Sequence, residues 1–177
     1  KAALEALRQP LEDGFVTVSR VRARTRFLSR CMLVAGMNPC PCGYYGSRVR
    51  ACRCEQHEIR RYLDRVSGPL LDRIDLQIEV DAVPIGDIQT EARGESSAAV
   101  RSRVQAARAL QQKRLHGTSA HCNAQMTGAQ LEEICPLSAP VKQLLARAVE
   151  TYGLSMRGYQ RVVKVARTIA DLANDRD

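Results

Sequence analysis

The chain has 177 residues, of which 45% are hydrophobic and 26% charged, an ordinary globular balance that can bury a core in one or two compact units. It holds no run of about 18 apolar residues, which excludes a membrane-spanning helix, and its opening Lys1-Ala-Ala-Leu-Glu5 reads as mid-helix, not as a signal peptide. With 27 Lys and Arg against 19 Asp and Glu, the net charge of +8 favours phosphate-bearing partners, a solvated basic surface being the bland alternative.

Residues 2–9 are strong helix formers, and Pro10 ends the run or begins a turn. Glu12-Asp13-Gly14 signals a turn, after which Phe15–Val18 and the stretch from Arg24 to Leu28 predict a hairpin over about 14–28. Arg20, Arg22, Arg24 and Arg26 alternate, so in one extended segment they would share a face. That face suits nucleic acid, or else it is a solvated edge protected by charge. The apolar run Cys31–Gly36 predicts a buried strand that delivers Asn38, locked by Pro39, to its end, where open α/β sheets place ligands. An Asn that merely caps a strand end is the alternative.

Seven cysteines are an odd number, and four of them form two CxC pairs, Cys40 with Cys42 and Cys52 with Cys54, nine residues apart. Two close thiolate pairs on a Gly-containing loop can offer four sulfurs tetrahedrally, which is what a structural zinc (Zn2+) site needs; four reduced cysteines without metal are the alternative. His57 could replace one sulfur. Cys31 reads as a small core residue of its strand, and Cys122 and Cys135 as similar. His116, His121 and Cys122 offer too few ligands at useful spacing for a second metal.

Ile59, Tyr62, Leu63 and Val66 fall on one face of a helix over 55–66, broken by Ser67-Gly68-Pro69. A short helical turn at Leu70-Leu71 follows. Ile74, Leu76, Ile78 and Val80 then alternate with Asp75, Gln77 and Glu79 as a strand with one buried face. Arg73 stands just before that strand, where an ion pair with Asp72 or Asp75 is the plain expectation. Residues 81–96 lose periodicity and read as linker. Ser96 or Ser97 caps a helix to about Leu115 with Val100, Val104, Ala107 and Leu110 inward. Thr127 caps one through Ile134, Ser138 one ended by Gly153, and Ser155 one to about Ala173. Arg157 sits in the first turn of this last helix, where the macrodipole disfavours a cation and favours a bound anion that compensates.

Asn38-Pro-Cys-Pro-Cys-Gly43 and Ser67-Gly-Pro-Leu-Leu-Asp-Arg73, with Leu4–Gly14 and Ala166-Arg-Thr-Ile-Ala-Asp-Leu172, closely resemble the magnesium-chelatase-like AAA+ ATPases of the competence-associated ComM/YifB branch. The resemblance implies an α/β fold: the C-terminal portion of an AAA+ P-loop ATPase core over 1–82, a linker over 83–96 and an all-α lid over 97–177. Within the core it places a pore-facing hairpin, a Cys knuckle over 38–54 and an arginine-finger segment over 67–76. It implies that Asn38 is sensor 1, orienting the attacking water, that Arg73 is an arginine finger acting in trans on the next subunit's ATP, and that Arg157 is the sensor-2 residue on the nucleotide. The cofactors implied are ATP and Mg2+. The partners are DNA and copies of the chain in a ring, a hexamer, and the compartment is the cytoplasm.

The 177 residues contain no GxxxxGK[ST] loop and no apolar strand ending in Asp-Glu, both of which the family carries upstream of the stretch matching Lys1, so this chain alone is expected not to hydrolyse ATP. Two alternatives stand beside DNA branch migration in natural transformation: a motor subunit of a metal chelatase, and a zinc-stapled nucleic-acid-binding module without ATPase activity. The knuckle, which goes with the ComM/YifB branch, speaks against the chelatase.

Overall fold

The computed structural model describes residues 2–81, 83, 86 and 94–175. The protein is mixed α/β, about half helical with one two-stranded sheet among the described residues, and it divides into two compact units, Lys1–Thr90 and Glu91–Asp177. Most of the expected linker, residues 84, 85 and 87–93, lies outside the described residues.

The first unit opens with two short helices, α1 (Ala2–Ala6) and α2 (Arg8–Asp13), in place of one helix ending at Pro10. Pro10 falls within the first turn of α2, where a missing N–H breaks no intrahelical bond. Gly14 ends α2 in the left-handed region (φ 69°), donating its N–H to the Pro10 carbonyl at 3.1 Å. Strands β1 (Phe15–Arg20) and β2 (Ala23–Leu28) then pair antiparallel, from Phe15 opposite Leu28 to Arg20 opposite Ala23. The Ser29 N–H donates to the Gly14 carbonyl at 2.8 Å and closes the base of the hairpin.

Two expected strands are absent. Residues 31–36 and 74–80 run without ladder partners, and apart from the half-buried Ile74 their apolar side chains are exposed, Met32 at 88% and Val80 at 87%. A strand is stable only when a neighbour satisfies its backbone, and β1 and β2 pair only with each other. Cys31, expected in the core, is therefore exposed as well.

Helix α3 (Gln56–Leu63) starts from a capping box in which the Glu55 N–H donates to the Glu58 carboxylate at 3.0 Å, and it buries Ile59. Helix α4 (Gly68–Leu71) starts where the Ser67 hydroxyl accepts from the Leu70 N–H at 3.3 Å, with proline in its first turn.

The second unit is helical: α5 (Ser97–Arg114), a 3-10 turn (Asn123–Gln125), α6 (Gly128–Ile134), α7 (Ala139–Tyr152) and α8 (Met156–Ala173). Their starts are written locally. Ser96 accepts from the Ala99 N–H, Ser155 from the Gly158 N–H, and Thr127 exchanges bonds with Gln130. The core gathers Leu115, Ala120, Met126, Leu131, Cys135, Leu145 and Val163, with Tyr159 packed against it. Full burial of a side chain such as Met126 or Leu131 contributes about 2 kcal/mol.

The inward face of α5 departs from expectation. Ala107 and Gln111 are buried, while Val100 and Val104 are exposed. Gln111 turns inward because its carbonyl accepts from the Asn123 N–H at 3.3 Å, within a buried polar network. There Asp171 accepts from Arg114, from the Asn123 amide at 2.8 Å and from Arg167 Nε at 3.2 Å; Asn123 also donates to Thr168 at 3.1 Å. No fully buried side-chain polar atom of the trio Gln111, Asn123 and Asp171 is left without a hydrogen bond, the partners coming from α5, the 3-10 turn and α8.

Candidate metal centre

Cys40-Pro-Cys-Gly43 folds as a tight turn in which the Gly43 N–H donates to the Cys40 carbonyl at 3.0 Å. Gly43 occupies the left-handed region (φ 82°), which a side chain would resist. The turn brings Cys40 and Cys42 to the same spot, 3.4 Å apart at sulfur. Cys52 arrives from the far side of the loop, 3.7 Å from Cys40 and 3.6 Å from Cys42, and Cys54 completes a set whose sulfurs all lie within 4.8 Å of one another.

These spacings fit a metal. Four sulfurs at about 2.3 Å from a tetrahedral zinc lie about 3.8 Å from each other, and the three distances of 3.4, 3.6 and 3.7 Å fall just below that figure. No disulfide joins these cysteines, and Cys40 is fully buried. The electrostatics also call for a cation. Backbone N–H groups of Arg53 and then Tyr44 hold the Cys42 thiol down to about 6, whereas burial and the neighbouring sulfurs push Cys54 up to about 12. One thiolate is cheap here, and four need a positive ion between them. His57 stays out of the set: its Nδ1 lies 3.1 Å from the Glu55 carboxylate and its side chain is largely exposed.

The other candidate residues are placed as follows. Asn38 is exposed just before the knuckle, its side-chain amide 4.0 Å from where a Cβ on Gly43 would stand. Arg73, between α4 and the unpaired segment, pairs with Glu12 and donates to the Pro69 carbonyl; its Nε is buried without a partner. Arg157 is exposed in the first turn of α8, on the second unit.

The hairpin arginines do not form one face, because the turn at Val21-Arg22 interrupts the extended run. Arg24 and Arg26 share a face with Phe15, whose ring lies 3.2 Å under the Arg26 guanidinium carbon; Arg20, opposite Ala23, is on the other. The buried Arg114–Asp171 network went unseen in the sequence, where the i, i+4 pair Arg167 and Asp171 was its one local trace.

Two family sequence models match the chain: magnesium chelatase, subunit ChlI, over residues 1–88, and the ChlI C-terminal model over residues 94–177. Together they account for nearly every residue, and the chain belongs to the magnesium-chelatase-like family, in its ComM/YifB branch. It is 43% identical over 176 residues to competence protein ComM of Haemophilus influenzae, covering 99% of this chain and 33% of that protein. It is 42% identical over 173 residues to the uncharacterized protein YifB of Escherichia coli, with 97% and 33% covered, and 40% identical over 174 residues to an uncharacterized protein of Mycobacterium tuberculosis, with 97% and 34% covered. The chain thus spans about a third of the length of these relatives.

Proposed function

We propose that the chain is the C-terminal part of a ring-forming AAA+ ATPase that couples ATP hydrolysis to DNA remodelling, in the manner of branch migration during natural transformation, in the cytoplasm. What carries this reading is the end-to-end similarity to a relative named as a competence protein, across both family models in the order that the motor plan requires. Asn38 then orients the attacking water, Arg73 reaches the γ-phosphate of the neighbouring subunit, and Arg157 reaches from the lid to the bound nucleotide. Mg2+ bound with ATP would neutralise phosphate charge. Cys40, Cys42, Cys52 and Cys54 hold a structural zinc, and Arg20, Arg22, Arg24 and Arg26 offer cations to DNA along a hairpin.

The decisive variant is Asn38→Ala in the full-length protein, whose turnover should vanish while ATP binding persists. Unchanged turnover would sink the sensor assignment. A chelatase motor is the second reading, favoured by the description attached to the matching family models. It requires hydrolysis stimulated by a porphyrin-loaded partner, and stimulation by DNA alone speaks against it.

A further inference from the structure

The loop that the four cysteines pin has a composition the metal does not explain. From Asn38 to Cys54 there are three arginines, Arg48, Arg50 and Arg53, and no acidic residue at all. All three arginines are exposed, and among the described residues none pairs with a carboxylate. The Arg53 N–H is turned to the Cys42 sulfur while its side chain is solvent-facing, so the cysteine cluster fixes where this cation stands. Arg50 lies with its guanidinium carbon 4.7 Å from the Tyr44 ring centre and donates to the Tyr44 hydroxyl at 3.3 Å, which makes a flat cationic stack.

Next to it, a turn closed by the Ser47 N–H on the Tyr44 carbonyl at 3.1 Å, with Gly46 at φ 77°, sets Tyr45 at its tip, 47% exposed. A ring left in water on the same pinned loop as three guanidinium groups that meet no carboxylate is the equipment of a single-strand site: cations for the backbone phosphates and a platform on which an unpaired base stacks. A duplex would use the cations and not the ring.

We propose that the loop 43–53 is a single-stranded nucleic-acid-binding surface in its own right, with Arg48, Arg50 and Arg53 on phosphates and Tyr45 under a base. The assignment shares with the motor reading only the choice of nucleic acid as partner. It needs neither ATP nor the hairpin arginines.

The test is fluorescence anisotropy with the full-length, metal-loaded protein and a labelled oligo(dT) strand, across a salt series without ATP, with oligo(U) run alongside to tell DNA from RNA. Arg48→Ser/Arg50→Ser/Arg53→Ser should weaken binding by about tenfold or more and flatten the log–log salt slope by about 2, at about 0.7 per lost contact. Tyr45→Ala should cost about tenfold. The triple variant Arg48→Lys/Arg50→Lys/Arg53→Lys should keep the slope, and metal content measured on each variant separates a lost contact from a lost fold. The proposal is overturned by wild-type affinity and slope in the Ser variant, by a duplex that binds more tightly and ignores Tyr45→Ala, or by polyglutamate competing as well as oligo(dT). Loss of metal from the Ser variant with binding unchanged would assign the arginines to the thiolate cluster instead, and overturn it too. Failure of the motor reading looks different: no strand-stimulated hydrolysis, with strand binding intact.

Discussion

The Asp171 carboxylate is wholly buried, and burial alone would raise its proton affinity; the hydrogen bonds from Arg114 and Asn123 outweigh that and hold it below the ordinary 3.8. In the unfolded chain it returns to that value, so its contribution to stability is complete above about pH 4 and is lost as the pH falls toward the depressed folded value. Asp171→Ala removes the buried carboxylate that Arg114, Arg167 and the Asn123 amide share, and should cost about 3 kcal/mol in urea unfolding at pH 7. The same variant should lose less stability than the parent between pH 5 and pH 3, which a pH series of denaturation midpoints reads directly. At Arg73 the choice is different. Glu12 holds the guanidinium within the chain, so an arginine that acts on a neighbour's ATP must leave that partner. Arg73→Ala in the full-length protein should lower kcat by about 1,000-fold with ATP binding retained. Mixing it with Asn38→Ala subunits should restore part of the activity if the arginine works in trans, and none if it works on its own subunit's nucleotide.

Among the elements, the knuckle is the one whose chemistry was most legible in advance. A ligand set confined to residues 40–54 is a local property, and the CxC spacing carried it. The helix starts at Ser96, Thr127 and Ser155 were legible for the same reason, since a cap is made by a hydroxyl and an N–H three residues on. Strands are not local. The runs at 31–36 and 74–80 have the composition of buried strands, yet composition supplies no ladder partner. The buried face of α5 was misread because Gln111 is paid for by Asn123, a residue outside its helix. The knuckle also gives a direct measurement. Cys52→Ser should reduce zinc from one ion per chain to none by metal analysis, and chelation of the parent should free all four thiols to titration while disturbing the tyrosine signal of Tyr44 and Tyr45. The second unit's far-UV signal should survive, since its core, from Leu115 to Val163, contains none of these cysteines.

At the scale of the molecule, each half matches its own family model and forms its own compact unit. What the sequence could not supply was the role of each arginine, because the same guanidinium serves Glu12, a phosphate or a ring equally well by chemistry and is told apart only by position. The unpaired apolar runs have a practical consequence for anyone weighing this chain in solution. Open N–H and C=O groups flanked by Met32, Val34, Ile78 and Val80 are strand acceptors, so two copies can zip together edge to edge with no nucleotide present. Such pairs grow with concentration and have no fixed end point. Only the part of a mass increase that appears on adding ATP and stops at a defined multiple counts as assembly of a ring.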